Sequence, residues 1–263
     1  MPELDGEIFG FVGKRGKGKT LVALQIALRL ADDLDKDLCF NFTIDGRGFA
    51  KYCKACGYRN LLQRFYRGGV RVRGTSCGLD LWMAEQDTIY VLDEASIWCD
   101  ARNWAKLPEQ FKQDLSYCRH TGKILFWIAQ NYQEVDSRLR NQTNMVIICD
   151  GFTTRDKQTG IKQMKLKVCL GYQTEGYEQI LSKKTRWSGT KMLIQKLLKA
   201  QFRFISFLDY YDQLLFKVYN SFDRDLFSNE PVMSNPPYQL KVLRFKRISY
   251  SEAEFQKKLE ASR

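Results

Sequence analysis

The sequence predicts an alternating α/β domain built on a mainly parallel sheet, and three observations carry that prediction. Short apolar runs of strand length alternate with helical patterns, one run leads into the glycine-rich stretch Gly13 to Thr20, and another ends in the adjacent acids Asp93 and Glu94. With 263 residues, 44% of them hydrophobic, the chain can bury one large core, or one core and a small appended module.

The elements follow in order. Ile8 to Val12 is an apolar run of strand length, and Leu21 to Leu30 reads as a helix with few polar positions. Leu38 to Phe42 is a second strand. Residues 45–78 are glycine-rich, carry cysteines and are strongly basic, with Lys51, Lys54, Arg59, Arg64, Arg67, Arg71 and Arg73; they read as an irregular insertion with a helix near Leu61 to Tyr66. Thr88 to Leu92 is a buried strand, Leu107 to Cys118 a helix beginning beside Pro108, and Ile124 to Ala129 another buried strand. Met145 to Cys149 continues the series, and Thr153 to Leu170 reads as a hairpin about a Lys157 to Gly160 turn, where the parallel sheet ends. Past residue 180 the chain turns basic and aromatic: Lys183, Lys184 and Arg186 lead into a mostly helical stretch from Thr190 to Leu215. Pro236 and Pro237 interrupt the last segment, and Ser251 to Ser262 reads as a serine-capped charged helix, a docking tail. The expected organisation is one domain over residues 1–180, carrying the insertion at 45–78, and a basic, mostly helical extension over 181–263.

Gly13-Lys14-Arg15-Gly16-Lys17-Gly18-Lys19-Thr20 fits GxxxxGKT between a strand and a helix, the context that a phosphate-binding loop requires. The glycines let successive backbone N–H groups turn inward around phosphates at the positive end of the following helix. Lys19 would reach the β- and γ-phosphates of ATP, and the Thr20 hydroxyl would offer an oxygen to Mg2+. Asp93 closes a buried strand where α/β sheets present their ligands, so it is the expected outer-sphere contact to magnesium. Glu94 is the expected general base for water attacking the γ-phosphate. Gln130 follows the strand Ile124 to Ala129 and would sit at the same sheet edge, to sense the γ-phosphate or hold the water; the alternative is an ordinary polar residue capping the strand. Arg119 is the first candidate for an arginine that reaches a neighbouring subunit's γ-phosphate, with Arg102, Arg138 and Arg140 as competitors. The expected activity is ATP hydrolysis.

Other chemistries are excluded or left open. His120 is the sole histidine, which removes histidine metal centres and histidine triads. Eight scattered cysteines imply no secreted disulfide framework; Cys53 and Cys56, flanked by Cys39 and Cys77, have the two-residue gap of a thiolate zinc site but unusual outer spacings. Met1 to Glu7 has no export signal, and no run approaches the roughly 18 apolar residues of a membrane span, so a cytoplasmic location is expected, with membrane association only through partners. A formal charge of +12 biases the surface toward polyanions. In the insertion, arginines interleave with Tyr52, Tyr58, Phe65 and Tyr66, a mixture suited to single-stranded nucleic acid; a solvated face with the aromatics packed beneath is the alternative.

Four pieces in this order resemble the zonula occludens toxin-like ATPases, which include the assembly ATPase of filamentous phages and fall in the FtsK/HerA group of P-loop motors. They are Gly13 to Thr20; Leu92-Asp93-Glu94-Ala95-Ser96 followed by Trp98 and Arg102; Arg119-His120-Thr121-Gly122; and Gln130 with Val135-Asp136-Ser137-Arg138-Leu139-Arg140. Together they span residues 6–150. The resemblance implies a RecA-like core, a hexameric ring, and a role in moving viral DNA with virion or capsid proteins as partners. The chain departs from the filamentous-phage pattern in lacking a membrane-spanning segment after the core and in carrying the insertion at 45–78. It is also similar to genome-packaging ATPases of viruses with preformed capsids, so DNA packaging and DNA extrusion stand level. A nucleotide-dependent assembly factor that never tracks along DNA is the rival expectation, and a small-molecule kinase is a third.

Overall fold

The computed structural model describes residues 6–72, 86–102, 107, 109–155, 162–182, 200–207 and 209–219. Apolar runs without alternation form strands buried on both faces: β1 (Ile8–Val12), β2 (Asp37–Phe40), β4 (Thr88–Leu92) and β5 (Ile124–Ala129), the last two buried at every position. With the short β3 (Val70–Val72), β6 (Met145–Arg155), β7 (Lys162–Gln173) and β8 (Phe202–Phe207) they make one sheet of order β3-β2-β4-β5-β1-β6-β7-β8. All neighbours from β3 to β6 pair parallel, and β7 and β8 pair antiparallel at the far edge. The parallel sheet therefore ends at the β6–β7 hairpin, as expected; its turn lies outside the described residues.

The order matters more than the count. β1, which leads into the phosphate loop, and β4, which leads into the acid pair, are not neighbours, because β5 is hydrogen-bonded between them. With strands about 4.8 Å apart, the C-terminal ends of β1, β5 and β4 present three adjacent loops. This is the RecA-like P-loop NTPase arrangement.

Alternate side chains of the strands feed two cores. On one face, α1 (Lys19–Asp33), α2 (Gly46–Cys56) and α3 (Arg59–Arg67) pack with Phe11, Phe40, Val91 and Phe126. On the other, α4 (Ala95–Trp98) and α5 (Glu109–Tyr117) pack with Tyr90, Leu92 and Trp127. The Trp127 ring lies over Gly10, leaving no room for a Cβ there. Of two further helices, α6 (Ser137–Gln142) packs on α5 and α7 (Thr174–Ser182) flanks β6 and β7, and α8 (Tyr210–Leu215) packs on α2.

Two sequence expectations are corrected. Residues 45–72 are not irregular: they form α2, α3 and β3, while 73–78 lie outside the described residues. The glycines that suggested a loop are helix ends, since Gly57 (φ 73°) and Gly68 (φ 82°) occupy the left-handed position that stops each helix, and the Asp45 side chain accepts from the N–H groups of Arg47 and Gly48 to start α2. The C-terminal extension is not mostly helical where it is described: Phe202–Phe207 is a strand added to the edge of β7, and only Tyr210–Leu215 is a helix. Its Phe-Arg-Phe-Ile-Ser-Phe text suits a pleated surface better than a helix. The stretch 183–199 and the tail helix at 251–262 lie outside the described residues. No helix among the described residues is long and apolar enough to cross a membrane.

Candidate active site

The loop from Gly13 to Gly18 joins β1 to α1, and its glycines at 13, 16 and 18 all have positive φ. Gly13 is also pressed against the Cys149 carbonyl of β6, so a side chain there would collide with backbone. Gly18 occupies the N-cap of α1 in the left-handed conformation, with no side chain capping the helix and no acid in its first turn. The positive end of a 15-residue helix is therefore left bare toward the loop, a setting for an anion. Lys14, Arg15 and Gly16 are exposed along the rim. The Lys17 ammonium is taken by Asp150 (2.7 Å) and the Gly151 carbonyl (2.6 Å), so it braces the loop against β6 and leaves phosphate contact to other groups. Lys19 donates to the Lys14 carbonyl at 3.3 Å. Burial lowers its proton affinity, an effect opposed by the nearby Asp93 and Glu94 carboxylates.

Asp93 is 8% exposed and held from every side. Its Oδ2 accepts the Thr20 hydroxyl at 2.8 Å, and its Oδ1 accepts the Glu94 N–H at 2.8 Å. Its backbone is clamped by the Asn41 amide, which donates to the Asp93 carbonyl (2.9 Å) and accepts its N–H (2.7 Å), and by the Trp98 indole N–H, which donates to the same carbonyl (3.0 Å). Burial raises the carboxyl's proton affinity, while Thr20, the Glu94 N–H and Lys19 pull it down. Because Thr20 donates its proton to Asp93, its lone pairs stay available, so an oxygen ligand and a carboxylate lie side by side at the foot of the bare helix end. That donor set fits a hard divalent cation carried by a nucleotide.

Glu94 sits at φ 52°, ψ 50°, a conformation that costs a non-glycine residue roughly 1–2 kcal/mol. Its carboxyl comes within hydrogen-bonding reach of Gln130, at the end of β5. Burial is the main cause raising its proton affinity, with Asp93 adding to it and Lys19, Gln130 and Arg15 opposing it. The structure thus brings together Lys19, Thr20, Asp93, Glu94 and Gln130, and the position of β5 between β1 and β4 is the reason.

Arg119 is not part of this group. It lies on a 3-10 turn, Cys118–Thr121, before β5, at the strand end opposite Gln130. Six strand residues separate those ends by about 20 Å. Arg102 and Arg138 follow β4 and β5 at the phosphate-loop end; both are exposed, and Arg102 is paired with Asp100 at 3.2 Å. Arg140 lies over the Tyr132 ring at 5.0 Å and donates to the Val135 carbonyl at 3.0 Å, a structural engagement.

The cysteine grouping does not assemble. Cys39 packs on the β4–Trp127 face of the sheet and Cys53 on the opposite, α1 face, so the two cannot share an ion; Cys77 lies outside the described residues. The basic insertion is partly neutralised: Arg64 binds Asp35 and Asp37 (both 2.6 Å), and Arg71 also binds Asp37. Tyr52 and Phe65 are buried, so they support the helices from below, while Arg47, Lys51, Lys54, Arg59 and Arg67 remain exposed.

Sequence reasoning missed Asn41, Trp98's contact and Tyr219. The sequence places Asn41 inside a strand running from Leu38 to Phe42, whereas β2 ends at Phe40 and leaves Asn41 directly after it, the position that Gln130 holds after β5. Replacing Asn41 by alanine leaves the buried Asp93 N–H without a partner and its carbonyl with Trp98 alone, and Asn41→Ala is expected to lose about 1–3 kcal/mol of stability in urea unfolding. A loss below about 0.5 kcal/mol would refute the clamp.

The model of the zonular occludens toxin (Zot) family matches residues 7–196. Among solved structures, the chain is similar to the N-terminal domain of zonular occludens toxin from Neisseria meningitidis, at 18% identity over 82% of this chain and all of that one, with a TM-score of 0.44. It is also similar to the genome packaging NTPase B204 from Sulfolobus turreted icosahedral virus 2 in complex with ATP-gammaS, at 15% identity over 66% of this chain and 95% of that one, with a TM-score of 0.44. A search of the curated proteins finds no match. The family match runs from the strand that enters the phosphate loop to beyond β7 and spans more than half of the sequence, and the chain belongs to the zonular occludens toxin (Zot) family.

Proposed function

We propose that this protein is an ATP-hydrolysing motor of viral or mobile-element origin that moves DNA during virion assembly, extrusion or genome packaging. The observation that carries the reading is the meeting of Thr20 with Asp93 at 2.8 Å beside a Glu94 carboxyl steered onto Gln130. Bound ATP would supply the reactive phosphoanhydride, and magnesium, which Thr20 and Asp93 would hold, would supply positive charge to offset that of the phosphates. The chain's own work is the rest. The loop N–H groups and Lys19 orient the phosphates, Asp93 holds Thr20 in place, and Glu94, with its raised proton affinity, accepts a proton from a water that Gln130 helps to orient. A carboxylate paired with an amide at this edge favours water as acceptor over a substrate hydroxyl, which argues against a kinase.

Arg119 acts in trans in this reading. Its place about 20 Å from Gln130 within one chain suits an arginine that serves a neighbour in a ring, a homo-oligomer of six subunits. DNA as the track is supported by the +12 charge and by the exposed Arg47, Lys51, Lys54, Arg59 and Arg67 on α2 and α3. Virion or capsid proteins are the partners that would dock the motor, in the host cytoplasm or at its membrane through them.

Steady-state ATP hydrolysis of the purified chain, with and without single- and double-stranded DNA at low and near-physiological salt, tests this. Several-fold stimulation by one form, weakening with salt, is the expected result and names the track. Hydrolysis indifferent to both would point instead to an assembly factor that binds coat or membrane proteins.

A further inference from the structure

The segment Asp209–Tyr219 returns from the far edge of the sheet to the acid pair. Asp209 and Asp212 form a capping box that starts α8, and Asp212, fully buried, pairs with Lys167 of β7. Leu214, Leu215 and Val218 fill the core on the α1 face. The Asp45 N–H donates to the Val218 carbonyl at 2.9 Å, Ile44 bridges Tyr219, and Gly48 of α2 lies so close to the Lys217 carbonyl that a Cβ would not fit. These contacts aim one side chain. The Tyr219 ring stands edge-on to Phe42 with centroids 4.8 Å apart, and its hydroxyl lies 3.4 Å from Asp93 Oδ2, in hydrogen-bonding reach of Thr20 as well.

We propose that Tyr219 is a positioning residue for the Thr20–Asp93 pair, orienting the carboxylate and hydroxyl that capture the divalent cation of the nucleotide. The inference rests on the reading of that pair as the metal site. The Asp93 carboxylate receives donors from Thr20, from the Glu94 backbone and from Tyr219, three points far apart in sequence that together hold its plane. The first two are local to the site. Tyr219 is delivered by a segment whose anchors, Lys167, Asp45 and Gly48, lie outside it. At 3.4 Å the contact is longer than a settled O–H···O bond of about 2.5–3.0 Å, so the hydroxyl can close in when the site fills.

The test is Mn2+ binding to the full chain with a non-hydrolysable ATP analogue, followed by electron paramagnetic resonance, in wild type and Tyr219→Phe. The phenylalanine keeps the ring on Phe42. Nucleotide affinity in EDTA and the thermal midpoint of the variant should match wild type, whereas its Mn2+ affinity should fall roughly threefold to tenfold, the effect of one hydrogen bond to a charged acceptor. In wild type, amides of 209–219 should gain hydrogen-exchange protection with Mg2+ and analogue together, and not with analogue in EDTA. An unchanged or tighter Mn2+ affinity in Tyr219→Phe would overturn the inference alone. A parallel loss of EDTA affinity and thermal midpoint would also overturn it, by reducing Tyr219 to a packing residue. Wild type that binds the analogue but no Mn2+ would take down the metal-site reading together with it.

Discussion

Replacing Lys19 by alanine is expected to raise the dissociation constant for a fluorescent ATP analogue at least about 100-fold and to abolish hydrolysis. A charge-assisted hydrogen bond to phosphate is worth about 1.5–3 kcal/mol, and Lys19 has two phosphates within its expected reach. The ammonium is partly buried, enough that desolvation lowers its proton affinity, so its charge is poorly screened where the phosphates would lie. Among the described residues it donates to the Lys14 carbonyl at 3.3 Å, so the Lys19→Ala chain should fold and unfold near the wild-type midpoint. Binding within threefold of wild type would sink the phosphate-loop reading. The same chain also tests Arg119. Mixed with Arg119→Ala subunits, it should restore part of the activity, because a site with its own intact Lys19 then receives an intact Arg119 from a Lys19→Ala neighbour; no rescue at any ratio argues against an arginine acting in trans.

Glu94→Gln should separate binding from chemistry. The amide is isosteric and can still hydrogen-bond Gln130, so nucleotide affinity should stay within about twofold of wild type, while turnover falls roughly 10²- to 10⁴-fold for want of a base. Left-handed non-glycine backbone is costly and gathers at functional sites, and Glu94 at φ 52° fits that pattern. Single-turnover kinetics with pre-bound nucleotide would read the chemical step directly. A variant that turns over within threefold of wild type would remove Glu94 from its role and leave Asp93 or a neighbour's group to supply the base.

Much of the site was legible without coordinates. Gly13 to Thr20 is one contiguous stretch whose residue types are dictated by backbone geometry and phosphate chemistry, and Asp93 and Glu94 end an apolar run that could hardly be anything but a buried strand. Gln130 was legible for the same reason. Asn41 was not legible, because the apolar run reads as a strand through Phe42 and only the structure ends β2 at Phe40, and because nothing local says that its amide should bind the backbone of Asp93. The helices in 45–72 were obscured by their glycines, which read as loop until Gly57 and Gly68 are seen as helix ends.

Sequence alone determined the parts whose physics is local: the strand that feeds a glycine loop, the helix whose bare N-terminus follows it, and the acid pair at a strand end. The tertiary structure decided what no segment encodes. It placed β5 between β1 and β4, so that Gln130 reaches Glu94; it moved Arg119 to the far end of the sheet; it spent Lys17 on Asp150; and it returned Tyr219 to Asp93, 126 residues away in sequence. Strand order and long-range docking are set by which arrangement of the whole chain buries its apolar faces and satisfies its polar groups at once, a property of the assembled sheet that periodicity within any one segment does not carry.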